Sequence, residues 1–134
     1  MQIENYLYAT AQLIHNFGAV AVTALPLIAL IFSLDPVKLQ AAYKLIIVAW
    51  VAQSVSGAGF GLISYFVVGS LPELHFFAFS SLILKITCAA SAITLVGAKL
   101  LGLRTVLRDR SLLIILSTLG STALASAAVL RWFS

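Results

Sequence analysis

Charge is what this sequence has least of. Its 134 residues carry eight basic and four acidic side chains, 9 % charged against 62 % hydrophobic. Soluble chains carry roughly 25 % charged residues, so a water-soluble fold of this length would lack a polar exterior. Cysteine is nearly absent too. Cys88 stands alone, which excludes an intrachain disulfide and a thiolate cluster for zinc or iron–sulfur and leaves a small packing residue. Met1 is the single methionine, so the soft-ligand motifs that copper favours are missing. The head of the chain, MQIENYLY, has no basic n-region and no cleavage site soon after an apolar core, and a cleaved signal peptide is not expected. Nor is there a repeat or a low-complexity tract. GAGFG at 57–61 lies inside an apolar run without an adjoining Lys-Ser/Thr, which excludes a phosphate loop.

Long uncharged runs take the place of these features. Residues 5–34, 45–72 and 111–130 carry no charge, and 74–98 carries only Lys85. Each can supply the roughly 20 residues that cross hydrocarbon, and mean hydropathy is +1.11. The expected fold is all-α: a single transmembrane domain over 1–134, an integral four-helix bundle with helices near 8–33, 41–68, 73–101 and 111–132. Lys38 and Lys44 flank the first connection, and Lys99, Arg104, Arg108 and Arg110 the third, against Arg131 alone on the opposite side. The positive-inside rule then places those connections in the cytoplasm and both termini on the outer side of a multi-pass inner-membrane protein. The basic residues read as topology anchors, with no nucleic-acid partner.

Three polar residues stand out in the spans. Lys85 is twelve residues from Glu73 and fourteen from Lys99, about 18 and 21 Å along a helix. That is near the bilayer midplane, where an ammonium is expensive and usually functional. It lies ten residues from His75, about 15 Å, and is expected not to reach an imidazole level easily. Its candidate partners are an acidic or oxygen-rich ligand, backbone carbonyls freed by a kink at Pro26, or a partner subunit. If the embedded part of helix one runs over 11–32, His15 lies about one turn below the outer face, as His75 does in helix three. Two imidazoles at matched depth on helices one and three suit a bis-histidine haem b, with a porphyrin edge-on between helices. Phe17, Phe60, Phe76 and Phe79 would enclose it, and Gly18 and Gly57 would give it room. Either histidine alone could instead bond a carbonyl, a headgroup or water.

Two stretches have small residues at helical spacing. Trp50, Ser54, Gly57, Gly61 and Ser64 share one face of helix two, which suits a helix seam or a flat surface for a planar cofactor. Ser117, Gly120, Ser121, Leu124 and Ala128 do the same on helix four, where the hydroxyls can bond their own backbone.

The run SLILKITCAASAITLVGAKL, the later STALASAAV, the preceding KLIIVAWVAQSVSGAGFG and the early His15 together resemble the copper-resistance protein D superfamily of small membrane domains. The bacterial membrane protoporphyrinogen oxidases are similar in architecture. That resemblance implies haem binding, with His15 as ligand and Lys85 as the second essential polar group. The proteins named for copper resistance imply copper handling instead. After His15 the chain reads NFGAVAVTALP, without the Trp-x-Gly-Gly type motif or the Leu-Pro-Arg run of the oxidases, so the reaction stays open. The leading expectation is haem-dependent electron transfer, with quinone or a redox partner on the outer side. The alternatives are copper or small-solute transport, and a structural subunit of a homo- or hetero-oligomeric complex.

Overall fold

The computed structural model describes residues 2–69, 76–103 and 107–133, and within them the chain is four α-helices: α1 Gln2–Ile31, α2 Pro36–Val68, α3 Phe76–Leu100 and α4 Asp109–Phe133. Every helix contains a stretch long and apolar enough to cross a membrane, as in a multi-pass membrane protein. The side chains are distributed accordingly. Large apolar residues such as Leu13, Phe17, Val48, Phe66 and Ile86 face outward, while Gln53, Ser56, Ser117 and Ser126 are buried.

Local chemistry sets the helix ends. Asp35 caps α2: its carboxylate accepts from the Lys38 backbone N–H at 3.0 Å, and Pro36 takes the first position, where a missing N–H does no harm. This capping signal, and not the rise in hydropathy near residue 41, fixes the start of α2. Gly69 ends the helix in the left-handed region at φ 77°. α3 closes in a Schellman turn: Leu103 N–H donates to Ala98 O, Gly102 N–H to Lys99 O, and Gly102 takes φ 68°. α1 begins at Gln2, well before its apolar stretch, because nothing in QIENYLY breaks a helix.

Around the bundle α1 packs on α2, α2 on α3, α3 on α4 and α4 on α1, which makes α1/α3 and α2/α4 the diagonals. The start of α1 and the end of α4 lie at one end of the bundle, opposite the end of α1 and the start of α4. Packing is densest in the half nearer the end of α1 and the start of α4. Tyr43, Ile46 and Trp50 of α2 meet Cys88, Ala92 and Val96 of α3 and Leu112, Leu113 and Leu116 of α4 there. Asp109 clamps that end: Tyr43 Oη donates to its Oδ1 at 3.0 Å, and Lys99 Nζ lies 2.7 Å from the same atom.

Pro26 is buried inside α1 and deprives the Val22 carbonyl of its usual donor. That carbonyl does not meet Lys85. It faces α4, where Gly120 comes so close that an added Cβ would stand 2.6 Å from Val22 O. Absence of a side chain at Gly120 is therefore what lets α1 and α4 cross backbone to backbone. Beyond this crossing, toward the chain termini, a cavity separates the two helices.

Candidate functional site

Immediately above the packed half, α2 presents Gln53 and Ser56 on its buried face. Ser56 Oγ commits its proton to the backbone, 2.7 Å from Ala52 O and 3.2 Å from Gln53 O. The oxygen is left as an acceptor, and it lies 2.9 Å from Nδ1 of His15. His15 therefore carries its proton on Nδ1, and Nε2 keeps a lone pair. Two donors converge on that lone pair, Gln53 Nε2 at 3.2 Å and Lys85 Nζ at 2.9 Å. The edge of the imidazole stands against Phe60, centroids 5.5 Å apart, and Tyr8 stacks on the other side of Phe60.

The Lys85–His15 contact overturns the expectation that Lys85 lies too deep to reach an imidazole. His15 is thirteen residues from the start of α1, about 20 Å along its axis, and so sits near the middle of that helix. Lys85 is nine residues from the start of α3, about 13.5 Å, and its flexible stem spans the diagonal between α3 and α1. The only ion pairs among the described residues are Lys38–Asp35 and Lys99–Asp109, so Lys85 has no carboxylate partner there.

The remaining sequence candidates separate. His75 lies outside the described residues. Phe79 is 54 % and Phe17 70 % exposed, and both point outward with Phe76. Gly18 offers no open slot, because its space is already taken, whereas Gly57 borders open space between α2 and α3. A Cβ at Gly18 would meet Gln53 Oε1 at 2.8 Å, and one at Gly57 would meet His15 Cε1 at 3.4 Å. Both glycines let the polar cluster pack close to backbone.

Two cavities flank the cluster and share His15, Gln53 and Lys85 as walls. One, of about 950 Å³, opens between α1 and α4 above the Val22–Gly120 crossing. Gln12, Asn16 and Arg131 give it polar edges, and Ala19, Ala123 and Ala127 keep part of its wall flat. The other, about 630 Å³, lies between α2 and α3, with Trp50, Ser54, Gly57 and Gly61 on the α2 side. Those four residues are the face that helical spacing picked out in helix two. Both volumes fall in the range of roughly 300–1,000 Å³ typical of small-molecule sites. Two buried polar atoms at this level have no partner, Trp50 Nε1 and Gln53 Oε1.

Gln53, Ser56 and Arg131 are the residues that sequence reasoning left out of the site. Gln53 did leave a signal, as the one side-chain amide in the apolar run 45–72, three residues from Ser56 on the same face. Among the described residues no three His, Cys, Asp or Glu side chains come together in a metal-holding group. A metal ion held by protein donors alone would need such a set. Haem asks less of the chain, since the porphyrin supplies four nitrogens and the protein an axial ligand. His15 has an anchored Nδ1–H and lines a cavity, but Gln53 and Lys85 bond its Nε2, so it meets that requirement only where those donors turn away.

Comparison with known proteins gives no assignment: no family model matches the chain, and neither a curated protein nor a solved structure does.

Proposed function

We propose that this chain is a membrane-embedded haem b protein in which Nε2 of His15 is an axial ligand and the α1–α4 cavity receives the macrocycle. One observation carries the reading: Ser56 accepts from Nδ1–H of a histidine that lines a cavity of about 950 Å³ in an apolar bundle. Gln53 and Lys85, which bond its Nε2, would have to turn away to free that lone pair for iron. The chain's residues then have distinct tasks. Ser56 holds the ring, and Phe60 sets its plane from one side. Arg131 borders the cavity in the last turn of α4, placed to balance acidic groups on a bound molecule, and Lys85 borders it at mid-depth as a hydrogen-bond donor. Ala19, Ala123 and Ala127 leave room against the helix backbones. Haem would supply one-electron redox chemistry at this depth. The resemblance to the copper-resistance protein D superfamily agrees with this assignment of His15 and Lys85.

Orientation belongs to the same proposal. Lys38, Lys44, Lys99, Arg108 and Arg110 cluster toward the connecting end, which assigns that end to the cytoplasm and the termini to the outer side of a cell inner membrane. A phosphatase fused to the C-terminus should be active outside the membrane.

The absorption spectrum tests the function. Protein purified from haem-replete cells should show a Soret band and a sharp α band on dithionite reduction, both lost in His15→Ala. Colourless protein that takes up no added haemin sinks the reading.

A further inference from the structure

The α2–α3 cavity differs in character from its neighbour. Apart from the shared His15, Gln53 and Lys85, its lining is almost wholly apolar, and exposed Ala90 and Ile86 place its mouth on the outward face of the bundle, where lipid would lie. Two aromatic residues border it, Trp50 and Phe60, while Gly57 and Ala89 keep the space between the helices narrow-walled and flat. Trp50 is 0 % exposed, yet its indole N–H has no partner. Buried N–H groups without acceptors are rare, because desolvation is not offset by a bond. Lys85 gives one proton to His15 and has further N–H groups to offer.

Of the two partnerless buried atoms, Gln53 Oε1 is turned toward Gly18 of α1. The free polar groups on the α2–α3 side are thus donors, Trp50 Nε1–H and Lys85 Nζ, and the space calls for an acceptor. An acyl chain would fill the volume and leave both donors unmet. A carboxylate would have to be carried through hydrocarbon to a lysine about 13.5 Å from the nearer end of α3, at a heavy desolvation cost. A neutral ring carbonyl meets the donors without that penalty, and a planar ring suits the aromatic and glycine walls.

We propose that the α2–α3 cavity is a binding site for a lipid-soluble quinone, entering sideways from the bilayer, whose ring carbonyl accepts hydrogen bonds from Lys85 and the Trp50 indole N–H. The site lies beside the α1–α4 cavity, with which it shares His15, Gln53, Lys85 and Leu130 as walls, and it can be filled whether or not haem is bound.

A photoreactive azidoquinone tests it on the full-length protein in lipid nanodiscs, with menadione as competitor. Label should fall on the segments 50–61 and 82–93 and vanish with excess menadione. Trp50→Phe, which keeps the aromatic bulk, should weaken menadione competition about tenfold, the scale of one lost hydrogen bond. Ala90→Trp, which plugs the exposed mouth, should abolish labelling and leave any Soret band unchanged. Label spread evenly over the lipid-facing surface, label that menadione does not displace, or oleate competing as well as menadione would overturn the proposal. A missing Soret band with menadione-sensitive labelling would reject haem and keep this site, and the reverse pattern would do the opposite.

Discussion

Lys85 Nζ and His15 Nε2 meet at 2.9 Å although their helices face each other across the bundle diagonal and their backbones do not come close. The contact ties α1 to α3 at mid-depth through two side chains. It also gives a buried ammonium a neutral partner where a carboxylate would be the usual one.

A lysine in such a place makes insertion harder. At the centre of a spanning helix it costs roughly 2.5–3.5 kcal/mol on insertion scales. Lys85→Met should therefore insert at least as well as wild type and melt no lower in detergent, while ligand binding in both cavities falls. A clear loss of thermal stability would mean that Lys85 is structural.

Ser56→Ala removes the acceptor for Nδ1–H and leaves a buried donor unpaired, a loss of about 1–3 kcal/mol. It also frees His15 to move its proton to Nε2. Haem affinity should fall about 10- to 100-fold, the usual range for losing the partner that orients a ligating histidine, read by haemin titration of the variant. Ser56→Thr, which keeps the hydroxyl, should restore most of it.

Glycine substitutions should separate by position. Gly120→Ala forces a Cβ against Val22 O at 2.6 Å and must push α1 from α4, costing about 1–3 kcal/mol as over-packing does. Gly59→Ala meets nothing within 4 Å and replaces a poor helix former, so it should be neutral or stabilising by up to about 1 kcal/mol. Thermal unfolding of the two variants side by side checks the contrast.

One pH effect follows outside the spans. The Lys38 backbone N–H, then its side chain, hold the Asp35 carboxyl below its ordinary pKa. A depressed carboxylate contributes stability above its unfolded-state pKa, and that contribution fades as pH falls through the lower folded value. The melting-temperature gap between wild type and Asp35→Ala should be full near neutrality and shrink on acidification below the usual carboxylate range.

Hydropathy was enough to read the four spans, because each is an uninterrupted apolar run between charges. The site was legible only as separate residues. The level of His15 relative to Lys85 was not legible, because α1 runs from Gln2 through the polar head and the bundle brings the two side chains within 2.9 Å. Gly57 reads as room for a ligand in sequence, and the structure places it beside both the His15 ring and the α2–α3 cavity, since its neighbours come from other helices. The Val22–Gly120 crossing could not be read at all: one partner is a backbone carbonyl, which the side-chain alphabet does not show.

Lys85 borders both cavities with a single amine. Two occupants that draw on the same N–H donors are thermodynamically linked, and by reciprocity each must alter the other's affinity by an equal factor. Where one occupant turns the ammonium toward itself, the other loses a donor, so the coupling has a negative sign. Arrival of a molecule on the α2–α3 side would thus loosen one on the α1–α4 side, with no helix needing to move.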